Sequence, residues 1–183
     1  MENKFGFVSL SGRTNVGKST LLNALFQKKI AITSRKPQTT RNRILGILTE
    51  EKSQIVFLDT PGVHLGYKRQ LNKVMNKIAS HCYEEVDLVL FLIDRFKWQK
   101  EEENILKSLK NLNKPVVLVI NKIDRLSDKT KLLAFIRDIS EKFNFLSIVP
   151  ISALKKDNLM ELKSVILNNL EIGPYHFPED SLT

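Results

Sequence analysis

The sequence predicts an α/β fold, a three-layer sandwich around a mostly parallel six-stranded sheet. Three observations carry that expectation. Apolar runs of strand length alternate with longer segments of helical period along the chain, the pattern of repeated strand–helix units. Two of the runs, Leu88–Ile93 and Val116–Ile120, are apolar at every position, so both faces of those strands must be covered. Gly12–Ser19 matches G-x-x-x-x-G-K-[ST], a loop that joins a strand to a helix and wraps phosphates.

Taken in order, the first strand is Phe5–Ser11, and a helix over Lys18–Lys28 follows the loop, apolar at Leu21, Leu22, Ala24 and Leu25. Arg43–Thr49 and Gln54–Asp59 are separated only by Glu50–Ser53; no crossover fits there, so this pair must be antiparallel. A helix is predicted over Lys68–Tyr83, then a strand over Asp87–Asp94. The next helix, Lys100–Asn111, carries Glu101, Glu102 and Glu103 in its first turn, where acids suit the helix dipole. Strand Pro115–Ile120, helix Asp128–Phe143, strand Leu146–Ile151 and helix Leu159–Leu170 complete the alternation. Gly173, Pro174, Pro178 and Asp180 give the tail the character of a linker. In such a fold ligands sit at the carboxyl ends of the strands.

With 183 residues, 42% of them hydrophobic and 27% charged, the chain suits one core-bearing domain. Its single cysteine, Cys82, excludes an internal disulfide and suits a reducing compartment. No basic-then-apolar leader is read at the N-terminus, and the longest apolar run, Leu88–Ile93, is too short to cross a bilayer. A soluble, cytoplasmic protein is expected. The net charge is +9. Part of it is concentrated in Lys28, Lys29, Arg35, Lys36, Arg41 and Arg43, and in Lys68, Arg69, Lys73 and Lys77. Such patches attract nucleic-acid backbones or anionic lipid heads, although a solvated lysine-rich surface accounts for them equally well.

Four motifs stand in order at predicted strand ends. In the first, Gly12 and Gly17 let the backbone curl so that the amides of Arg13, Thr14, Asn15 and Val16 face phosphate oxygens. Lys18 is placed to bridge the β- and γ-phosphates and the Ser19 hydroxyl to ligate Mg²⁺, with Thr20 in the same helical turn. In the second, Asp59-Thr60-Pro61-Gly62, Asp59 can hold Mg²⁺ through water and the Gly62 amide can meet the γ-phosphate. Alone, D-x-x-G is weak, since chance supplies it in about every other chain of this size. The third is Asn121-Lys122-Ile123-Asp124. The Asp124 carboxylate can accept from N1–H and the 2-amino group of guanine, whereas adenine would leave it unpaired. Sites of that kind discriminate by about four orders of magnitude in favourable cases. Asn121 can bond the base or tether the phosphate loop, and the Lys122 stem can cover the ring. The fourth, Ser152-Ala153-Leu154, offers backbone amides to the guanine O6.

This order resembles the GTPases of the phosphate-loop class, and within it the Era family of bacteria. The residues that carry the likeness are Gly12–Thr20, Ile32–Arg41, Asp59–Val63, Val86–Asp94, Asn121–Asp124, Ile151–Asn158 and Gly173–Thr183. The resemblance implies a GTP-hydrolysing switch whose first switch is Ile32–Arg41 and whose second starts at Asp59. Thr40, or else Thr39, would complete the Mg²⁺ shell when GTP is bound. Asn15 matches an asparagine that in some relatives coordinates a potassium ion in place of an arginine finger; a turn residue making local backbone bonds is the other reading. Lys18, Thr40 and Gly62 would then be the catalytic groups. Thr14 departs from the proline common in such loops, which should loosen the loop without removing a ligand.

Family members continue into a KH domain that binds the 3′ end of small-subunit ribosomal RNA. The resemblance therefore implies a GTPase domain over residues 1–172 and a linker over 173–183, with sequence-specific RNA binding largely absent from this chain. For the full-length protein it implies a role in small-subunit assembly, ribosomal RNA and the ribosome as partners, a monomeric state, and access to the inner face of the cell membrane as a peripheral protein. Small GTPases place a water-orienting glutamine after D-x-x-G, and here that position is Val63. Intrinsic turnover on the order of 10⁻⁴ to 10⁻² s⁻¹ is expected. The competing readings are a guanine-nucleotide-sensing module with negligible hydrolysis and an ATP-using enzyme, which Asp124 opposes. His64, His81, Cys82 and Trp98 are read as solvated or packing residues, and Asp94 as a strand end without a chemical role.

Overall fold

A computed structural model describes residues 3–26, 43–50, 52–59, 86–94, 97–126, 128 and 130–177. The elements are β1 (Lys4–Ser11), α1 (Lys18–Phe26), β2 (Arg43–Glu50), β3 (Ser53–Asp59), β4 (Leu88–Asp94), α2 (Lys100–Lys110), β5 (Val116–Asn121), α3 (Thr130–Ser140), β6 (Ser147–Pro150), α4 (Leu159–Asn168) and β7 (Glu171–Ile172). A 3₁₀ turn covers Ile123–Arg125. The sheet order is β2-β3-β1-β4-β5-β6. All neighbours on that path are parallel except β2 and β3, which are antiparallel as their short connector requires.

The uniformly apolar strands separate into two cores by strict alternation. Leu88, Leu90 and Leu92 of β4 face one side with α1 and α4, through Leu21, Leu25, Leu162 and Ile166. Val89, Phe91 and Ile93 face the other side with α2 and α3, through Ile105, Leu109 and Ile139. Each such side chain contributes about 1.5–3 kcal/mol on burial. The three-layer sandwich follows directly from strands that have no polar face.

β7 adds a seventh strand to the six expected from sequence. β4 pairs with β1 only from Val8 onward. The start of β1 is therefore open on that side, and Lys4 and Phe5 pair antiparallel with Ile172 and Glu171. Beyond β7 the chain stays docked. Gln54, fully buried in β3, donates through Nε2 to the Phe177 carbonyl at 2.9 Å and accepts through Oε1 from the amides of His176 (3.2 Å) and Phe177 (3.0 Å). His176 stacks on Phe5 with ring centroids 4.2 Å apart, and the Tyr175 hydroxyl donates to the Glu50 carbonyl.

α3 is shorter at both ends than its apolar period suggests. Asp128 accepts from the amide and hydroxyl of Thr130 (2.9 and 2.6 Å), so it precedes the helix as a local cap. After Ser140 the chain turns, and Phe143 and Phe145 pack against the core. The helix expected over Lys68–Tyr83, both switch segments beyond Asp59 and within Ile32–Arg41, and the basic clusters other than Arg43 lie outside the described residues. Among the described residues no helix is long and apolar enough to cross a membrane.

Candidate nucleotide-binding site

β1, β3, β4, β5 and β6 all end at one edge of the sheet, and the motif residues lie there. The loop after β1 curls through three left-handed positions, Gly12 (φ 145°), Asn15 (φ 62°) and Gly17 (φ 103°). The two glycines are required on steric grounds as well. A Cβ at Gly12 would lie 2.5 Å from the Leu92 carbonyl oxygen, and one at Gly17 would lie 2.3 Å from Asn121 Nδ2. Val16 is buried and anchors the loop in the core. α1 starts at once, its Leu21 amide donating to the Gly17 carbonyl at 2.8 Å, so the helix N-terminus points at whatever the loop holds.

Lys18 folds back over the loop, its Nζ donating to the carbonyls of Gly12 (2.6 Å) and Arg13 (2.8 Å). Ser19 and Thr20 are exposed in the first turn of α1, and Thr14 and Asn15 are exposed in the loop. Asp59 is the last residue of β3, in register with Leu10 of β1. Its side chain, with Thr39, Thr40, Thr60, Pro61, Gly62 and Val63, lies outside the described residues.

Asn121 makes the central junction. Its buried amide donates to the Val16 carbonyl (2.8 Å) and accepts from the amides of Lys122 (2.8 Å) and Ala153 (3.0 Å). Of the two roles open to it in the sequence, the structure assigns it the tether. Lys122, in a left-handed conformation with φ 64°, donates from Nζ to the Asn15 carbonyl (2.7 Å) and to Asp94 Oδ2 (2.9 Å). Ser152, fully buried, donates its hydroxyl to Asp124 Oδ1 at 2.5 Å and accepts from the Lys155 amide at 3.1 Å. Asp124 itself is exposed, with one oxygen held and the carboxylate open to a ligand. Leu154 is 65% exposed on the same loop.

Two features escaped the sequence reading. Asp94 is buried and ion-paired to Lys122, so it positions that lysine. The signal was present in an acid ending a buried strand, since buried charges are almost always paired. Arg13 turns its guanidinium away from the curl of the loop, donating from Nη1 to Gln99 Oε1 at 2.9 Å, with Nε 2.7 Å from Glu102 Oε1. Nothing in the local sequence pairs residues so far apart. Trp98 lies half-buried in a T-shaped contact with Phe91, centroids 6.1 Å apart, which is packing.

Residues 7–122 match the family model described as 50S ribosome-binding GTPase. GTPase Era of Haemophilus influenzae (strain PittGG) is 50% identical over 178 residues, covering 97% of this chain and 59% of that protein. A crystal structure of Era in complex with MgGDPNP and nucleotides 1506–1542 of 16S ribosomal RNA superposes with a TM-score of 0.81 at 45% identity, covering 97% of this chain and 61% of the other. A point variant of Aquifex aeolicus Era bound to GDP·AlF4⁻ gives 0.80 at 45% identity, covering 97% and 60%. The chain thus spans about three fifths of the length of these relatives. The likeness read from the motifs is borne out, and because the family match runs over more than half of its residues, this chain belongs to the 50S ribosome-binding GTPase family.

Proposed function

We propose that this site binds guanine nucleotide and that the chain hydrolyses GTP to GDP and phosphate. The observation that carries the reading is one continuous hydrogen-bonded link. It runs from Asp124 to Ser152, and from the adjacent Ala153 amide through Asn121 to Val16. A base-reading carboxylate and a phosphate cradle are thereby held as one unit, the preorganisation that binding and phosphoryl transfer both need. Asp124 would accept from the guanine N1–H and 2-amino group. The loop amides would take the phosphate oxygens, and Lys18 would exchange its carbonyl partners for β- and γ-phosphate oxygens.

The donor set suits Mg²⁺, a hard cation that prefers oxygen. Ser19 is exposed at the first turn of α1 and Asp59 ends the strand beside β1. Ser19, Asp59 and Thr40 would hold the ion, and Asn15 a potassium ion. Bound Mg²⁺ supplies charge neutralisation on the phosphoryl group being transferred. The Gly62 amide would sense the γ-phosphate. Val63 cannot orient water, so turnover is slow. That apolar residue also favours a second reading, a nucleotide-sensing module with negligible hydrolysis.

Phosphate release in excess GTP and Mg²⁺ separates the two: hydrolysis on the order of 10⁻⁴ to 10⁻² s⁻¹ supports the first, and none supports the second. Rates of seconds without partner or potassium would contradict the role given to Val63. The same proposal covers the longer protein. Residues 1–172 act as its GTPase domain and 173–183 as the linker to a KH domain, with 16S ribosomal RNA bound as in the Era complex, a part in small-subunit assembly, and a cytoplasmic monomer whose basic clusters have access to the membrane surface.

A further inference from the structure

We infer that Arg13, Gln99 and Glu102 form a latch that sets how tightly the site holds nucleotide phosphates, with Glu102 as a positioning residue. The inference rests on the guanine-nucleotide reading above. Arg13 is a cation near the start of a phosphate-binding loop, yet its side chain serves another partner. Its Nη1 donates to Gln99 Oε1 at 2.9 Å, its Nε lies 2.7 Å from Glu102 Oε1, and Glu101 Oε2 stands 3.8 Å from Nη1 at the rim. The Nε–Oε1 contact is an ion pair off the hydrogen-bond axis.

The Glu102 side chain is 1% exposed against 21% for Arg13. A carboxylate so enclosed needs compensation at both oxygens. Oε2 accepts from the Gln99 amide at 2.9 Å, capping α2, and Oε1 faces the guanidinium. Gln99 is thus joined to both other members, which fixes the start of α2 and the loop as one body.

The consequence for phosphates comes through the Arg13 backbone. Its carbonyl accepts from Lys18 Nζ at 2.8 Å, and its neighbours Gly12 and Thr14 form the wall of the curl. Any drift of Arg13 therefore moves the loop amides that would take the phosphate oxygens. Lys122 fixes the loop at Asn15 and Asn121 fixes it at Val16. The latch adds a third point at Arg13. Without it the first half of the loop must be ordered by the ligand, and affinity falls by that ordering cost.

The test is affinity and release rate for a fluorescent GDP in wild-type protein, Arg13→Gln, Glu102→Gln and the double variant, with KM and kcat for GTP. Glutamine at 102 can still cap α2, which isolates the ion pair. Each single variant should raise Kd about tenfold, chiefly through faster release. In Glu102→Gln, KM should rise while kcat stays within about twofold, and the double variant should bind no worse than the poorer single. Gln99→Ala, which removes a contact without uncovering a buried charge, should raise Kd by about three- to fivefold and serves if either charge variant fails to fold. Unchanged Kd with a lower melting temperature would reduce the trio to a helix staple and overturn the inference, as would effects that simply multiply in the double variant. Wild-type protein with no preference for GDP over ADP would overturn the nucleotide reading and the latch together, an outcome distinct from failure of the latch alone.

Discussion

At the scale of single residues, steric room fixes the occupant at two positions of the site, Gly12 and Gly17. Gly17 shows this best, since a side chain there would have to displace the Asn121 amide that tethers the loop. Gly17→Ala should abolish measurable nucleotide binding in a titration while leaving a folded protein; retained affinity would mean the tether is dispensable. Asn121→Leu leaves the Val16 carbonyl and the Lys122 and Ala153 amides without their partner. It should lower stability by about 2–4 kcal/mol in a urea unfolding curve. The curl and its tether at Asn121 were legible because chain-local spacing fixes them: a curl needs its glycines, and Asn121 ends the strand beside the loop. Asp94 and Glu102 were not legible as partners of Lys122 and Arg13. Those pairs exist only once the sheet order sets β4 beside β5 and brings α2 over the first loop.

At the scale of elements, strands without a polar face were unambiguous, and the structure divides their residues between two helical layers. Ends were harder to read, because capping chemistry and aromatic packing decide them and periodicity does not. α3 is the instance, starting after Asp128 and stopping short of Phe143. The Asp128 carboxyl is held below the usual carboxylate range, first by the Thr130 hydroxyl and then by the Thr130 amide. A lowered folded-state pKa means the cap contributes stability above the unfolded pKa and loses it as pH falls through the folded one. The Thr130 amide resonance should therefore titrate with a midpoint below that of an unperturbed aspartate; a midpoint at the ordinary value would remove the cap. β7 had no sequence signal, being two residues that fill an edge left open by the late start of β4.

At the scale of the molecule, one sheet carries two separate tasks at its two ends. The carboxyl ends of the strands carry the proposed nucleotide site, and the opposite end, around Gln54, holds residues 175–177. β3 runs from one to the other, Gln54 near its start and Asp59 at its end. Gln54→Leu should strand the Phe177 carbonyl and the His176 and Phe177 amides, lowering stability by about 2–4 kcal/mol and exposing residues 173–177 to protease. Equal protease resistance would show that the tail is held without the Gln54 hydrogen bonds, by its aromatic contacts and the Tyr175 hydroxyl.

The central claim is that one preorganised edge grips phosphates at Gly12–Ser19 and selects guanine at Asp124. Calorimetric titration with nucleoside diphosphates in Mg²⁺ tests it most directly, using the unaltered chain and Asp124→Asn. The account predicts strong preference of the unaltered chain for GDP over ADP, and a shift toward xanthosine diphosphate in the variant. Equal affinity for GDP and ADP, or unchanged guanine preference in Asp124→Asn, would contradict it.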